Sequence, residues 1–158
     1  MLDVDGTSIV ADPGPFTDSN GLGWSPDDKI FYFTDSRANL IYAYDYDDGK
    51  LANRRLFVDA IALGESRTSY CDGFWGGSKI VRFSPTGSID LEVLFPTVLN
   101  VTSCAFGGAN NDQLYVTSAH CKASGEEERQ TEFPNSGHVF VVDVSDIARG
   151  VVRHKFGP

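Results

Sequence analysis

Hydrophobic and polar residues alternate over short stretches of this chain, and no apolar run is long enough to suggest a helical bundle or a membrane span. The polar turn Trp24-Ser25-Pro26-Asp27-Asp28-Lys29 leads into the aromatic and β-branched run Ile30-Phe31-Tyr32-Phe33-Thr34-Asp35. That order predicts a turn and then a strand. Asn39-Leu40-Ile41-Tyr42-Ala43-Tyr44-Asp45, a turn at Asp47-Asp48-Gly49 and the stretch Leu51 to Asp59 continue the series, and Asn20-Gly21-Leu22-Gly23-Trp24 begins it. The four runs predict an antiparallel meander.

The same plan returns 83 residues later, with Asn20 falling on Ser103, Tyr32 on Tyr115 and Thr34 on Thr117. Thr102-Ser103-Cys104-Ala105-Phe106-Gly107-Gly108 repeats the first strand, Asn110-Asn111-Asp112 the turn and Gln113-Leu114-Tyr115-Val116-Thr117-Ser118 the second strand. A third strand, Gly137-His138-Val139-Phe140-Val141-Val142-Asp143, follows an acidic insert that contains Glu126-Glu127-Glu128. Self-similarity of this kind marks propeller blades, small sheets that need neighbours to cover their faces. The pattern predicts an all-β fold, a partial β-propeller of about three blades, with Gly21 to Trp24 and Cys104 to Phe106 in innermost strands.

Between the two full units lies a shorter one. It opens at Tyr70-Cys71-Asp72-Gly73 and continues with Gly77-Ser78-Lys79-Ile80-Val81-Arg82-Phe83-Ser84-Pro85-Thr86-Gly87, which matches the third strand and turn of the first unit. Asn20 to Tyr42 spans 22 residues, whereas Asp72 to the equivalent Val81 spans 9, a shortfall of 13. The rest of the innermost strand, the turn and most of the second strand are missing there, which should leave a void and unpaired backbone. Met1 to Val10 resembles only the outer strands of a preceding blade. The expected organisation is thus a single domain over 1–158, truncated at its N-terminus and carrying an internal deletion near Gly73.

Composition narrows the partners. Sixteen glycines, seven prolines and a 12% aromatic content suit short strands joined by turns. A net charge of −9 repels phosphate backbones and anionic lipid surfaces, so neither nucleic acid nor membrane is an expected partner. Cys71, Cys104 and Cys121 are odd in number and lack zinc-knuckle or disulfide-framework spacing, which suits a reducing, cytoplasmic setting. Met1-Leu2-Asp3-Val4-Asp5-Gly6 has no basic or apolar leader region, so no signal peptide is visible.

Asp18-Ser19-Asn20-Gly21-Leu22-Gly23-Trp24-Ser25-Pro26-Asp27 resembles the S-N-G-L-x-W-S motif of the regucalcin, gluconolactonase and luciferin-regenerating-enzyme family. Asp45-Tyr46-Asp47 with Gly49, Asn53-Arg54-Arg55 with Phe57, and Trp75 to Phe83 match that family in order and spacing, as do Thr102 to Gly108 and Leu114 to Ala119. The resemblance implies a six-bladed propeller with one divalent cation at the mouth of its channel, held by a glutamate, two asparagines and an aspartate. By motif, Asn20 corresponds to the second asparagine, and Asp72 to the aspartate that also acts as catalytic acid or base. The glutamate and the first asparagine are expected upstream of Met1.

Hard oxygen ligands of these types suit calcium, magnesium or manganese, and zinc less typically. Such a cation polarises a lactone carbonyl and acidifies a bound water, whose proton the aspartate can accept. Taken alone, Asn20-Gly21 and Asp72-Gly73 are turn dipeptides, and only their place at blade starts gives them chemistry. Thr102 and Ser103 occupy the same place in the last unit, where lining the channel, packing and capping are all open to them.

Other motifs fail. Asp45-Tyr46-Asp47-Asp48-Gly49 suggests a calcium loop, but its glycine is out of register and Leu56 stands where a bidentate glutamate is required. No G-x-S-x-G elbow is present, and His120, His138 and His154 bear no relation to a nucleophile. His120-Cys121 lacks the second pair that a metal site needs.

Three readings follow: a divalent-metal-dependent hydrolase of sugar-acid lactones or similar cyclic esters, a non-catalytic propeller binding module, or a truncated or degenerate homologue without activity.

Overall fold

Alternation of apolar and polar side chains becomes three antiparallel sheets in a computed structural model of the chain, which describes residues 10–63 and 77–150. The first sheet runs β1 (Ser19–Trp24), β2 (Ile30–Asp35), β3 (Leu40–Asp47) and β4 (Lys50–Asp59), in that order across the sheet. The second holds β5 (Lys79–Phe83) and β6 (Ile89–Leu94); the third holds β7 (Asn100–Gly107), β8 (Gln113–Ala119) and β9 (Val139–Asp143). The only helical pieces among the described residues are two 3-10 turns in the acidic insert, at Cys121–Ser124 and Glu127–Thr131.

Turn chemistry sets the register. Asp48 and Gly49 join β3 to β4 with φ of 43° and 82°. Two positive values in succession fit the twist of a two-residue hairpin, and an aspartate followed by glycine tolerates them. The suspected calcium loop is therefore a hairpin. Asp45 has its carboxylate occupied by Asn53 Nδ2 and by the Arg55 guanidinium, each at 2.7 Å.

Each sheet has two faces to cover. On one face of the first sheet Phe31, Phe33 and Tyr44 pack with Tyr42, Tyr46 and Leu51, and Phe16 lies over them, 4.6 Å from the Phe33 ring. Arg54 covers Phe16 in turn, 5.4 Å above its ring centre, and pairs with Asp12 at 3.2 Å. Tyr44 donates to the same carboxylate at 2.9 Å. Burial and that anionic partner push its phenol up to about 12. Residues 10–18 thus form a strap across this face.

The opposite face, with Ile41, Val58 and Ala60, turns toward Phe83 of β5. The largest core lies between the second and third sheets, where Ile80, Phe95, Val98, Val101, Leu114, Val116 and Val144 are all buried. The far face of the third sheet is bare, with Tyr115, Val139 and Val141 exposed by 42%, 68% and 55%. Since Tyr115 pairs with Val141 and Thr117 with Val139, these side chains form one continuous surface.

Replacing the fully buried Val116 by alanine should cost about 2 kcal/mol in urea unfolding, from lost burial plus the hole left behind. Val141→Ala, one strand away on the bare face, should stay within about 0.5 kcal/mol. Equal losses would mean that the two faces are not distinguished as described.

Candidate functional site

Asn20 lies in β1 with its side chain exposed, and the strand is irregular where it sits. Ser19 faces Asp35 and Leu22 faces Phe33, so three steps along β1 answer two along β2. One extra residue is therefore accommodated at Asn20-Gly21, a bulge of the kind that re-aims a side chain at a strand end. Gly21 is buried immediately beside it.

The approach to Asn20 is pinned by Asp35. This carboxylate, in a residue only 3% exposed, accepts hydrogen bonds from the Thr17 hydroxyl and from the backbone amides of Thr17 and Asp18, the latter two at 2.9 Å. Ser36 N–H closes the loop onto Asp18 C=O at 3.0 Å. Burial alone would push the pKa of Asp35 up, but the hydrogen bonds donated by Thr17 and Asp18 outweigh it, so the pKa is held below its usual 3.8. The segment in front of Asn20 is thus tied to the far end of β2.

The third sheet repeats the bulge. Val101 faces Ser118 and Ser103 faces Thr117, again one residue too many on the first strand. By this register the counterpart of Asn20 is Thr102, one position earlier than the 83-residue offset places it. The difference comes from the turn: Trp24 faces Phe31 across six residues (25–30), whereas Phe106 faces Leu114 across seven (107–113). Thr102 brings its hydroxyl within 2.8 Å of the Thr117 hydroxyl, so it bonds across the ladder.

The start of β7 is secured differently. The acidic insert folds back, with Asn135 donating to the Thr97 hydroxyl at 3.0 Å, Leu99 N–H donating to Ser136 Oγ at 2.9 Å and the buried Asn100 donating to Ser124 Oγ at 3.0 Å. His120 Nδ1 accepts from Lys122 N–H at 3.1 Å and so caps the first 3-10 turn. The insert acts as a brace where sequence reading saw only a charged interruption, because the signal lies in scattered serines and asparagines.

Asp72, the predicted partner of Asn20, lies outside the described residues, as do Cys71 and His154. Cys104 and Cys121 are free thiols. Among the described residues no group of three or more His, Cys, Asp or Glu side chains comes together to hold a metal ion. Of the four expected oxygen ligands they supply Asn20 alone, which does not make a cation site. No helix among them is long and apolar enough to cross a membrane.

A family model for the SMP-30/Gluconolactonase/LRE-like region matches residues 1–120, and the chain belongs to this family. Regucalcin of Homo sapiens is 32% identical over 139 residues, covering 78% of this chain and 44% of its own length; regucalcin of Danio rerio is 33% identical over 135 residues, covering 78% and 45%. A luciferin-regenerating enzyme superposes with a TM-score of 0.78 at 28% identity, over 90% of this chain and 50% of that one. A calcium-binding regucalcin of Agrobacterium tumefaciens shares the fold, with a TM-score of 0.70 at 24% identity over 88% of this chain and 50% of that one. The chain spans less than half the length of the curated relatives cited.

Asp35→Asn should loosen the approach to Asn20. An amide offers one acceptor and sets its N–H₂ against amide donors, at a cost of about 2 kcal/mol at neutral pH. Because the folded-state carboxyl sits below 3.8, its stabilisation is complete above that value and is lost as pH falls through the lower, folded one. The gap between the parent and Asp35→Asn in unfolding free energy should therefore close in strong acid. A gap unchanged down to pH 2 would show that the charge contributes nothing.

Proposed function

We propose that this chain is the C-terminal part of a six-bladed propeller that hydrolyses sugar-acid lactones or similar cyclic esters, and that by itself it turns over no lactone. The observation that carries the reading is the bulge at Asn20, where the family's motif coincides with a backbone irregularity that presents an oxygen donor at the start of an inner strand. The bare apolar face of Tyr115, Val139 and Val141 supports an arrangement in which a further blade covers it.

In this reading residues 1–158 make one partial domain of about three blades, the middle one incomplete. Asn20 and Asp72 are two of four ligands to one divalent cation, whether calcium, zinc, manganese or magnesium, and Asp72 is the catalytic acid or base. When bound, the cation supplies carbonyl polarisation and an acidified water. The sequence holds no counterpart of the glutamate or the first asparagine, and Asp72 opens a stretch that is 13 residues short of the first unit's plan. Reacting groups need placement to about half an ångström with support behind them, which two ligands of four do not provide. A small-molecule lactone is the expected substrate, and the acidic surface disfavours nucleic acid.

The test compares proton release from an aldonolactone, with added calcium, zinc or manganese, between this chain and a version carrying upstream blades and the missing strands. Turnover is expected from the completed version alone. Metal-dependent hydrolysis by the short chain at a comparable rate would overturn the assignment, and inactivity of both would favour a binding module.

A further inference from the structure

The first sheet packs on the second and the second on the third, which leaves an outward face at each end of the row. On the third sheet that face carries Tyr115, Val139 and Val141, all exposed. It is flat: Ala105 stands opposite Tyr115 in the ladder, and the Tyr115 ring lies so close over Gly107 that a Cβ there would fall 2.8 Å from it. On the first sheet Leu22 pairs with Phe33, Trp24 with Phe31 and Leu56 with Tyr42, so all three stand on the side of the aromatic cluster, 59%, 48% and 55% exposed. Six of the eleven exposed large apolar side chains among the described residues therefore lie on the two end faces. Apolar surface concentrated in this way marks a contact site.

The described chain breaks off on the other sides of these sheets. It leaves β4 through Ala60, which is buried with Ile41 and Val58 on the face turned to β5. It ends at Gly150, whose N–H donates to Asn111 C=O at 2.8 Å and whose Cα lies against Phe106, on the core side of the third sheet.

A second copy of the chain fits both patches at once. The row superposes on half of the chain of a luciferin-regenerating enzyme, so two rows related by a two-fold axis make up one closed propeller, whereas a row of one third would need three. Two-fold symmetry sets the third sheet of each copy against the first sheet of the other, so the same joint is made twice. Each joint then has to bury only about half of the ~1,600 Å² of a standard stable interface. A charge of −9 on each copy opposes approach, so apolar contact has to supply the association, and added salt, which screens the repulsion, should tighten it.

We propose that two copies of this chain join end to end, third sheet on first sheet at both joints, into a ring of six sheets. The inference rests on the half-propeller part of the function proposed above and not on the lactone or the cation. Its test involves no turnover, so it fails or succeeds separately from the lactonase reading.

Sedimentation equilibrium of the full chain is measured from ~1 to ~100 μM, since interfaces of standard size bind at about 1 μM or tighter. A species of twice the 17.2 kDa of one chain is expected, with none larger, and with tighter pairing at high salt. Val141→Glu places a negative charge on the third-sheet patch and Leu22→Lys a positive one on the first-sheet patch; each alone should weaken pairing about tenfold or more. Both positions face water in a single chain, so far-UV circular dichroism of dilute protein should not change. An equimolar mixture of the two variants should pair again to within about threefold of the parent, because one joint is then unaltered and the other sets the new carboxylate against the new ammonium. Val139→Glu with Leu56→Lys repeats the test at separate positions. The proposal is overturned if the parent stays single up to ~100 μM, if it forms open polymers, if Leu22→Lys and Leu56→Lys pair as well as the parent, if the mixtures stay single, or if only the unmatched part of human regucalcin, added as a separate chain, occupies the Val141 face.

Discussion

A small antiparallel sheet rich in aromatic and β-branched side chains has two apolar faces and no means of covering both itself, and the rest of this structure follows from that constraint. The first sheet meets it with a strap on one side, where Phe16 and Arg54 close over Phe33 and Tyr42, and with β5 on the other. The second and third sheets cover each other through Val98, Val101, Leu114 and Val116. Beyond β8 and β9 the described residues leave an apolar surface uncovered, at Tyr115, Val139 and Val141.

Within that frame, position is fixed by a few buried polar groups. Asp35 ties Thr17 and Asp18 to the end of β2 and so sets where the chain enters β1. The third sheet has serine at the equivalent position, Ser118, which accepts from Gly137 N–H and donates to His138 C=O. The two sheets therefore hold the same backbone path with different chemistry: a charged clamp in one, and a hydroxyl relay plus a braced insert in the other. Only the first leaves its bulge residue directed to solvent; the second engages Thr102 with Thr117.

Much of this was legible in the sequence, for reasons that particular residues make plain. Ile30 to Asp35 and Leu114 to Ser118 carry the period-two alternation of half-buried strands, and Asp48-Gly49 specifies its hairpin. The 13-residue shortfall read near Gly73 adjoins residues 64–76, which lie outside the described residues. The single-residue slip between the inner strands was not legible, because an additional turn residue at 107–113 offsets the pairing without disturbing the alignment of Tyr32 with Tyr115. The brace was hidden because polar contacts such as Asn135 to Thr97 join residues 38 apart that have no periodicity to reveal them. At the candidate site, the motif selected Asn20, but nothing in it foretold that the extra backbone residue would be lodged there.

That shared bulge bears on how such molecules arise and how they can be altered. Two sheets with different side chains, different turns and different anchors retain one backbone defect at one ladder position, the imprint expected of a unit that was copied and then diverged. Asparagine at 20 and threonine at 102 are then alternative fittings for a single socket, present in the first and third sheets. Anyone wishing to add an oxygen donor to such a scaffold would not have to invent a geometry for it, since the third sheet already holds the same bulge at Thr102.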